Sequence, residues 1–194
     1  MRLWTKQPVE VWNILQETGE YICDISQSKF CNGKKIVAAY DWMVKQMEER
    51  VGPRPKGVIY PVWAWHTQEG KHQAPDLRKG YNWTYSKSVW LEVEIPDSEV
   101  LLSEYNDWHN VLNDGFNDNS MNEAEWEAQH EWFDSLPREE REKAKLKSWE
   151  RIFDVTPFEA PDGWRRNGRF VQATFWVLRL ENVKKVRFPA VHKD

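Results

Sequence analysis

The sequence predicts an α+β fold: a mixed or antiparallel sheet with helices packed on it, in a single compact domain that carries a helical hairpin. Three observations predict it. The segments read in the order strand, helix, helix, strand, strand, three helices, strand, strand, without the regular alternation that builds a doubly wound parallel sheet. No glycine-rich phosphate loop opens any helix. A chain of 194 residues is of one-domain length, and with 40% hydrophobic but 14% aromatic residues, thirteen of them tryptophan, burial is concentrated in a few large side chains.

Leu3-Trp4-Thr5 reads as a short first strand. Pro8 opens the helix that follows, because its missing N–H would be unpaired there anyway. Val11, Trp12, Ile14 and Leu15 recur at helical spacing, and Gly19 ends the helix. A second helix fits 37–50, with Tyr40, Met43, Val44 and Met47 inward and Gly52-Pro53 as its stop. The run 58–66 is β-branched and aromatic and reads as a strand. Residues 67–87 are polar, contain Gly70, Pro75 and Gly80, and exceed a tight turn, as functional loops often do. Val89, Leu91, Val93 and Ile95 then alternate with Trp90, Glu92 and Glu94, a strand with one buried face.

Val100-Leu101-Leu102 is a short extended piece, and Ser103 is placed to cap a helix running to Asn113. Ser120 and Glu123 have capping-box spacing ahead of a helix to Ser135. Leu136-Pro137 leads into another helix, so that about 119–153 forms a helical insertion in one domain spanning 1–194. Arg169 to Leu180 and Val183 to Phe188 complete the chain as two strands. Trp12, Trp42, Trp108, Trp126, Trp132, Trp149 and Trp176 are assigned to packing faces. Trp63, Trp65, Trp83 and Trp90, near the two central strands, remain for a ligand.

With 27 basic and 31 acidic residues the net charge is -4, which supplies no basic field for nucleic-acid phosphates. No signal-like or membrane-spanning apolar run is seen, so a soluble cytoplasmic protein is expected, with no membrane partner. Cys23 and Cys31 match no zinc or redox spacing and read as ordinary thiols, and no histidine pair has protease-like ligand spacing, so no metal is expected.

Glu92 and Glu94 project from one strand face together with Trp90. If that face lines a cleft they are a carboxylate pair, and if it meets water they are solubilising. Trp63 and Trp65 also share a face, where they either clamp a planar ring or sit in the core beneath a helix. The loop after them carries His66, Lys71, His72, Asp76, Arg78 and Lys79, more ionisable chemistry than a connector needs. Arg78 is the anion-binding candidate, with a surface ion pair to Asp76 as its alternative.

The runs Leu3-Trp4-Thr5-Lys6-Gln7, Tyr40-Asp41-Trp42-Met43, Tyr60-Pro61-Val62-Trp63-Ala64-Trp65, Pro75-Asp76-Leu77-Arg78 and Gln172-Ala173-Thr174-Phe175-Trp176 resemble, over nearly the whole chain, a family of small bacterial proteins of unknown function. A second resemblance concerns layout. Leu3-Trp4-Thr5, a helix holding Trp12, and Gly19-Glu20-Tyr21 are similar to the opening of ADP-ribosyltransferase-like domains, and Val171-Gln172-Ala173-Thr174 falls where their late catalytic strand does. The resemblance implies binding of NAD or a related nucleotide, with Trp63, Trp65 and His66 by the ligand, Arg78 on phosphate, and Gln172 with Glu92 or Glu94 at the ribose. Thr5 stands where those domains carry a basic residue or histidine, and Gln172 where they carry glutamate. An amide stabilises the positive charge of nicotinamide–ribose cleavage far less than a carboxylate. Either Glu92 or Glu94 supplies that charge, or the domain binds a nucleotide without this chemistry. The other class of function is a non-catalytic module that recognises a protein or small molecule through an aromatic cleft.

Overall fold

The computed structural model describes residues 1–23, 33–77 and 88–188. Strand β1 (Arg2–Pro8) runs directly into α1 (Val9–Thr18) through Pro8, and Gly19 closes the helix in the left-handed region at φ 81°, its amide donating to the Leu15 carbonyl at 3.0 Å. Next come the two-residue β2 (Glu20–Tyr21) and the long α2 (Lys34–Arg50). Strand β3 (Val62–Thr67) starts later than the apolar run suggests, because Pro61 precedes it; Tyr60 pairs with Cys23 in an isolated β-bridge outside the strand. Strand β4 (Ser88–Glu94) follows.

Ser103 is not a cap. It lies within β5 (Leu101–Glu104), paired with Gln172, and α3 (Tyr105–Leu112) begins two residues later. Pairing along the sheet edge satisfies the Ser103 backbone, which outweighs the capping tendency of its hydroxyl. Helix α4 (Glu123–Ser135) is capped by Asn122 rather than Ser120: the Asn122 side chain accepts from the Glu125 amide at 2.9 Å, and the Glu125 carboxylate reaches back to the Met121 amide at 2.9 Å. The Ser120 hydroxyl is taken by Asp118. Helix α5 (Arg138–Trp149) follows Pro137 and tightens into a 3₁₀ turn over Glu150–Phe153. After the ladder of β6 (Phe158–Glu159) and β7 (Arg166–Asn167), the strand expected over 169–180 divides into β8 (Val171–Phe175) and β9 (Leu178–Arg179), and β10 (Val183–Arg187) ends the described chain. Trp176 and Val177 leave the ladder at that break to fill the core beside α2.

Six strands form one sheet in the order β10-β4-β1-β3-β8-β5, every neighbouring pair antiparallel. One face carries Leu3, Leu91, Val93, Ala64 and Ala173 and is covered by Leu15 and Trp12 of α1. The opposite face is divided. Over β3, β8 and β5 it is roofed by Met43, Val44 and Met47 of α2, Trp108 and Val111 of α3 and Trp149 of α5. Over β1 and β4 it is roofed by the segment after β3, where the His72 ring lies 5.2 Å from Trp4 and the Pro75 carbonyl accepts from Arg187.

The seam between the two halves is β1 against β3, which pair only at Trp4↔Trp65. Just past that pair the fully buried Thr5 hydroxyl donates to the Trp63 carbonyl at 2.7 Å, a side-chain bond standing in for the ladder. Gln7 donates in turn to the Thr5 hydroxyl at 2.7 Å.

Candidate functional site

Strand register places most of the sequence candidates on the divided face. Glu92 pairs with Trp4, Trp4 with Trp65, Trp65 with Gln172, and Gln172 with Ser103, one cross-strand row running over five strands. Side chains of such a row project to the same side. Trp63 and Thr174 form the adjacent row.

The row does not make one pocket. Glu92 and Gln172 are three strand spacings apart, about 14 Å at the usual strand separation, with two indoles between them. At its β4 end the Trp4 Nε1 donates to a Glu92 carboxylate oxygen at 3.2 Å, and Arg2 lies 3.5 Å from both Glu92 and Glu94. Glu94 also meets Lys184 at 3.8 Å. Arg2, Trp4, His72, Glu92 and Glu94 line an open cavity of about 500 Å³. Trp90, on the same face, is 1% exposed and offers no surface to a ligand.

At the β8 end the environment is drier. Trp63 is packed between Trp108 at 4.9 Å and Tyr40 at 5.9 Å, Trp65 lies 5.0 Å from Tyr105, and Tyr105 lies 4.3 Å from His109. Three buried polar atoms here have no hydrogen-bond partner among the described residues: Trp63 Nε1, Gln172 Oε1 and Ser103 Oγ. They are a donor, an acceptor and a group that can be either, and an unsatisfied buried polar atom costs about 1–3 kcal/mol.

His66 sits at an irregularity in the β3–β8 ladder, its ring 4.1 Å from His72 and its Nδ1 2.9 Å from the Thr67 hydroxyl. Burial, with the neighbouring His72, pushes its imidazole down to about 4. Thr5 lies on the opposite face, at the seam. Arg78 and Trp83 fall outside the described residues.

Sequence reasoning passed over three groups. Trp4 separates the acidic end of the row from the amide end, and its parity with Trp65 was readable once the strands were known to be neighbours. Ser103 has the sequence signature of a cap but is a strand residue. Glu104, 1% exposed at the end of β5, accepts the Gly168 amide at 2.9 Å, and the Asn106 amide also lowers its pKa, while its Oε1 meets no donor in good hydrogen-bond geometry among the described residues. Burial pushes this carboxyl up to about 7 against that hydrogen bond, and Asp107 adds to the rise. Trp126 and Trp132, assigned to packing from helical spacing, are 41% and 51% exposed, because α4 buries no residue. Among the described residues no group of three or more histidine, cysteine, aspartate or glutamate side chains could hold a metal ion, and no helix is long and apolar enough to cross a membrane.

The sequence model of a domain of unknown function, DUF3841, matches residues 2–184. The chain belongs to that family. The DUF3841 match thus takes in every described strand of the central sheet except the last three residues of β10. Searches of curated proteins and of solved structures found no significant match to this DUF3841 domain.

Proposed function

We propose that this domain binds NAD or a related nucleotide beside the Trp65–Gln172–Ser103 row, in the manner of an ADP-ribosyltransferase-like domain that has lost the transfer step. The observation that carries the reading is the set of unsatisfied polar atoms on that row and next to it, Trp63 Nε1, Gln172 Oε1 and Ser103 Oγ. Buried groups of this kind are rare, and either an ordered water or a bound partner completes their hydrogen bonding. A carboxamide-bearing ring needs one acceptor for its amine and one donor for its carbonyl, and Gln172 with Trp63 or Ser103 offers both. The sheet order adds support, since the first strand and the late strand named by the layout resemblance are separated only by β3.

NAD carries a nicotinamide–ribose bond whose cleavage builds positive charge on the sugar. The residues of the row suit the neutral part of such a ligand and not that charge. Gln172 is an amide, and the carboxylates of Glu92 and Glu94 stand beyond two intervening strands, engaged by Arg2. The function is therefore read as binding without efficient transfer.

Titration with NAD, followed by tryptophan fluorescence and by nicotinamide release, tests this. Saturable quenching with release near background is expected, weakened at least about tenfold, or about 1.4 kcal/mol, by Gln172→Ala. No quenching at millimolar NAD overturns it.

A second reading draws on the cavity at Trp4, His72, Glu92 and Glu94, which suits a non-catalytic module for a protein or small-molecule ligand with hydrogen-bond donors. In that case Glu92→Gln, rather than Gln172→Ala, abolishes binding.

A further inference from the structure

Away from the sheet row, a pocket of about 270 Å³ lies between α3, α4 and β7, lined among others by Asp107, Asp118, Ser120, Trp126, Trp164 and Arg165. We infer that it is a separate binding site for a neutral, polyhydroxylated ring of monosaccharide size.

Size limits the ligand first. The volume lies just under the about 300–1,000 Å³ of pockets for drug-sized ligands, so a dinucleotide does not fit. Charge limits it next. Each guanidinium is already occupied: Arg165 lies 3.4 Å from Asp107 and donates to the Asp118 carbonyl at 2.7 Å, and Arg166, also at the pocket, pairs with Glu159 at 2.8 Å. No unmatched positive charge is left to draw a phosphate. The two carboxylates, Asp107 and Asp118, are countered by the guanidinium groups of Arg165 and Arg151, both within electrostatic reach of this cluster. Asp118 also takes the Ser120 hydroxyl and lies 3.5 Å from His130, and these contacts outweigh burial and hold its carboxyl below the usual range. A simple cation finds no unmatched negative charge.

Sugar hydroxyls suit such a balanced lining, because each one donates to a carboxylate and accepts from a guanidinium or amide without importing charge. The apolar side of the ring needs a flat surface, and the pocket has two. Trp126 and Trp164 both line it while remaining 41% and 45% exposed, which is unusual for indoles with a packing role alone. They are held in place: Trp126 packs against His130 at 4.3 Å, and Trp164 Nε1 donates to the Ser120 hydroxyl at 3.4 Å. An oriented aromatic wall beside fixed polar groups costs little further ordering on binding.

Saturation-transfer NMR with D-glucose, D-galactose and N-acetyl-D-glucosamine as probes tests the site. Transfer to the ring C–H protons of at least one sugar is expected, with the affinity read from its concentration dependence weakened at least about tenfold, or about 1.4 kcal/mol, by Trp164→Ala and independently by Trp126→Ala. NAD quenching should be unchanged in both variants, so this inference and the nucleotide reading fail separately. Absence of transfer from all three sugars overturns the inference. So does transfer that survives both substitutions, or inorganic phosphate or tetramethylammonium binding at these indoles in place of a sugar.

Discussion

Glu92 and Gln172 stand on one cross-strand row of the sheet with Trp4 and Trp65 between them, facing the same way and out of each other's reach. The acidic and amide ends of the divided face are therefore chemically separate sites. If transfer failed only for want of a carboxylate at the amide end, Gln172→Glu should raise nicotinamide release from NAD by at least about tenfold over wild type, since charge stabilisation of this kind is often worth more. Glu92→Gln and Glu94→Gln should leave the release rate unchanged. A Gln172→Glu variant that binds NAD yet stays at background would count against the proposed orientation of the ligand.

Glu104 should make the fold more stable in mild acid than at neutral pH. Its carboxyl is raised from 4.5 to about 7, so the folded state holds a proton that the unfolded chain has released, and stability falls as pH rises across that interval. The whole effect is on the order of 3 kcal/mol. Denaturant titrations of Glu104→Gln at several pH values should show that slope removed and a gain over wild type above pH 7.

His66 acts in the opposite sense. With its imidazole lowered from 6.5 to about 4, the folded state resists protonation, and stability is lost as pH falls through that range. Where the two ranges overlap the effects oppose, so the wild-type profile should be flatter than that of either variant. His66→Gln should unfold less readily in acid relative to its own neutral stability, as followed by circular dichroism.

The seam of the sheet rests on a hydroxyl. Thr5→Val keeps the side-chain shape but leaves the Trp63 carbonyl without its 2.7 Å donor, an expected loss of about 1–3 kcal/mol. Amide hydrogen exchange should rise first in β1 and β3. A global loss with no local change at the seam would argue that the two half-sheets are joined by something other than this bond.

Gly168 adopts φ +71°, and a Cβ there would stand 2.8 Å from the Pro157 Cα and 2.9 Å from the Val155 carbonyl. Gly168→Ala should therefore cost more than the about 1–3 kcal/mol of a left-handed conformation alone, and it should disturb the amide that Glu104 accepts. Thermal unfolding, together with the pH slope assigned to Glu104, reads both consequences.

What the sequence by itself determined is local. Alternation put Trp63 with Trp65 and Trp90 with Glu92 and Glu94, Pro8 and Gly19 marked both ends of the first helix, and the segment order pointed to α+β. These follow from backbone geometry within a few residues, where a period of two or 3.6 decides which side chains share a face. Only the tertiary structure decided that β1 lies between β4 and β3, which sets Trp4 and Trp65 between the carboxylates and Gln172. It also turned Ser103 from a cap into a strand residue, left Trp126 and Trp132 about half exposed, and buried Glu104. Each of those outcomes depends on which distant segment satisfies a backbone or covers a face. That choice is made by pairing and burial across the whole chain, and no local pattern records it.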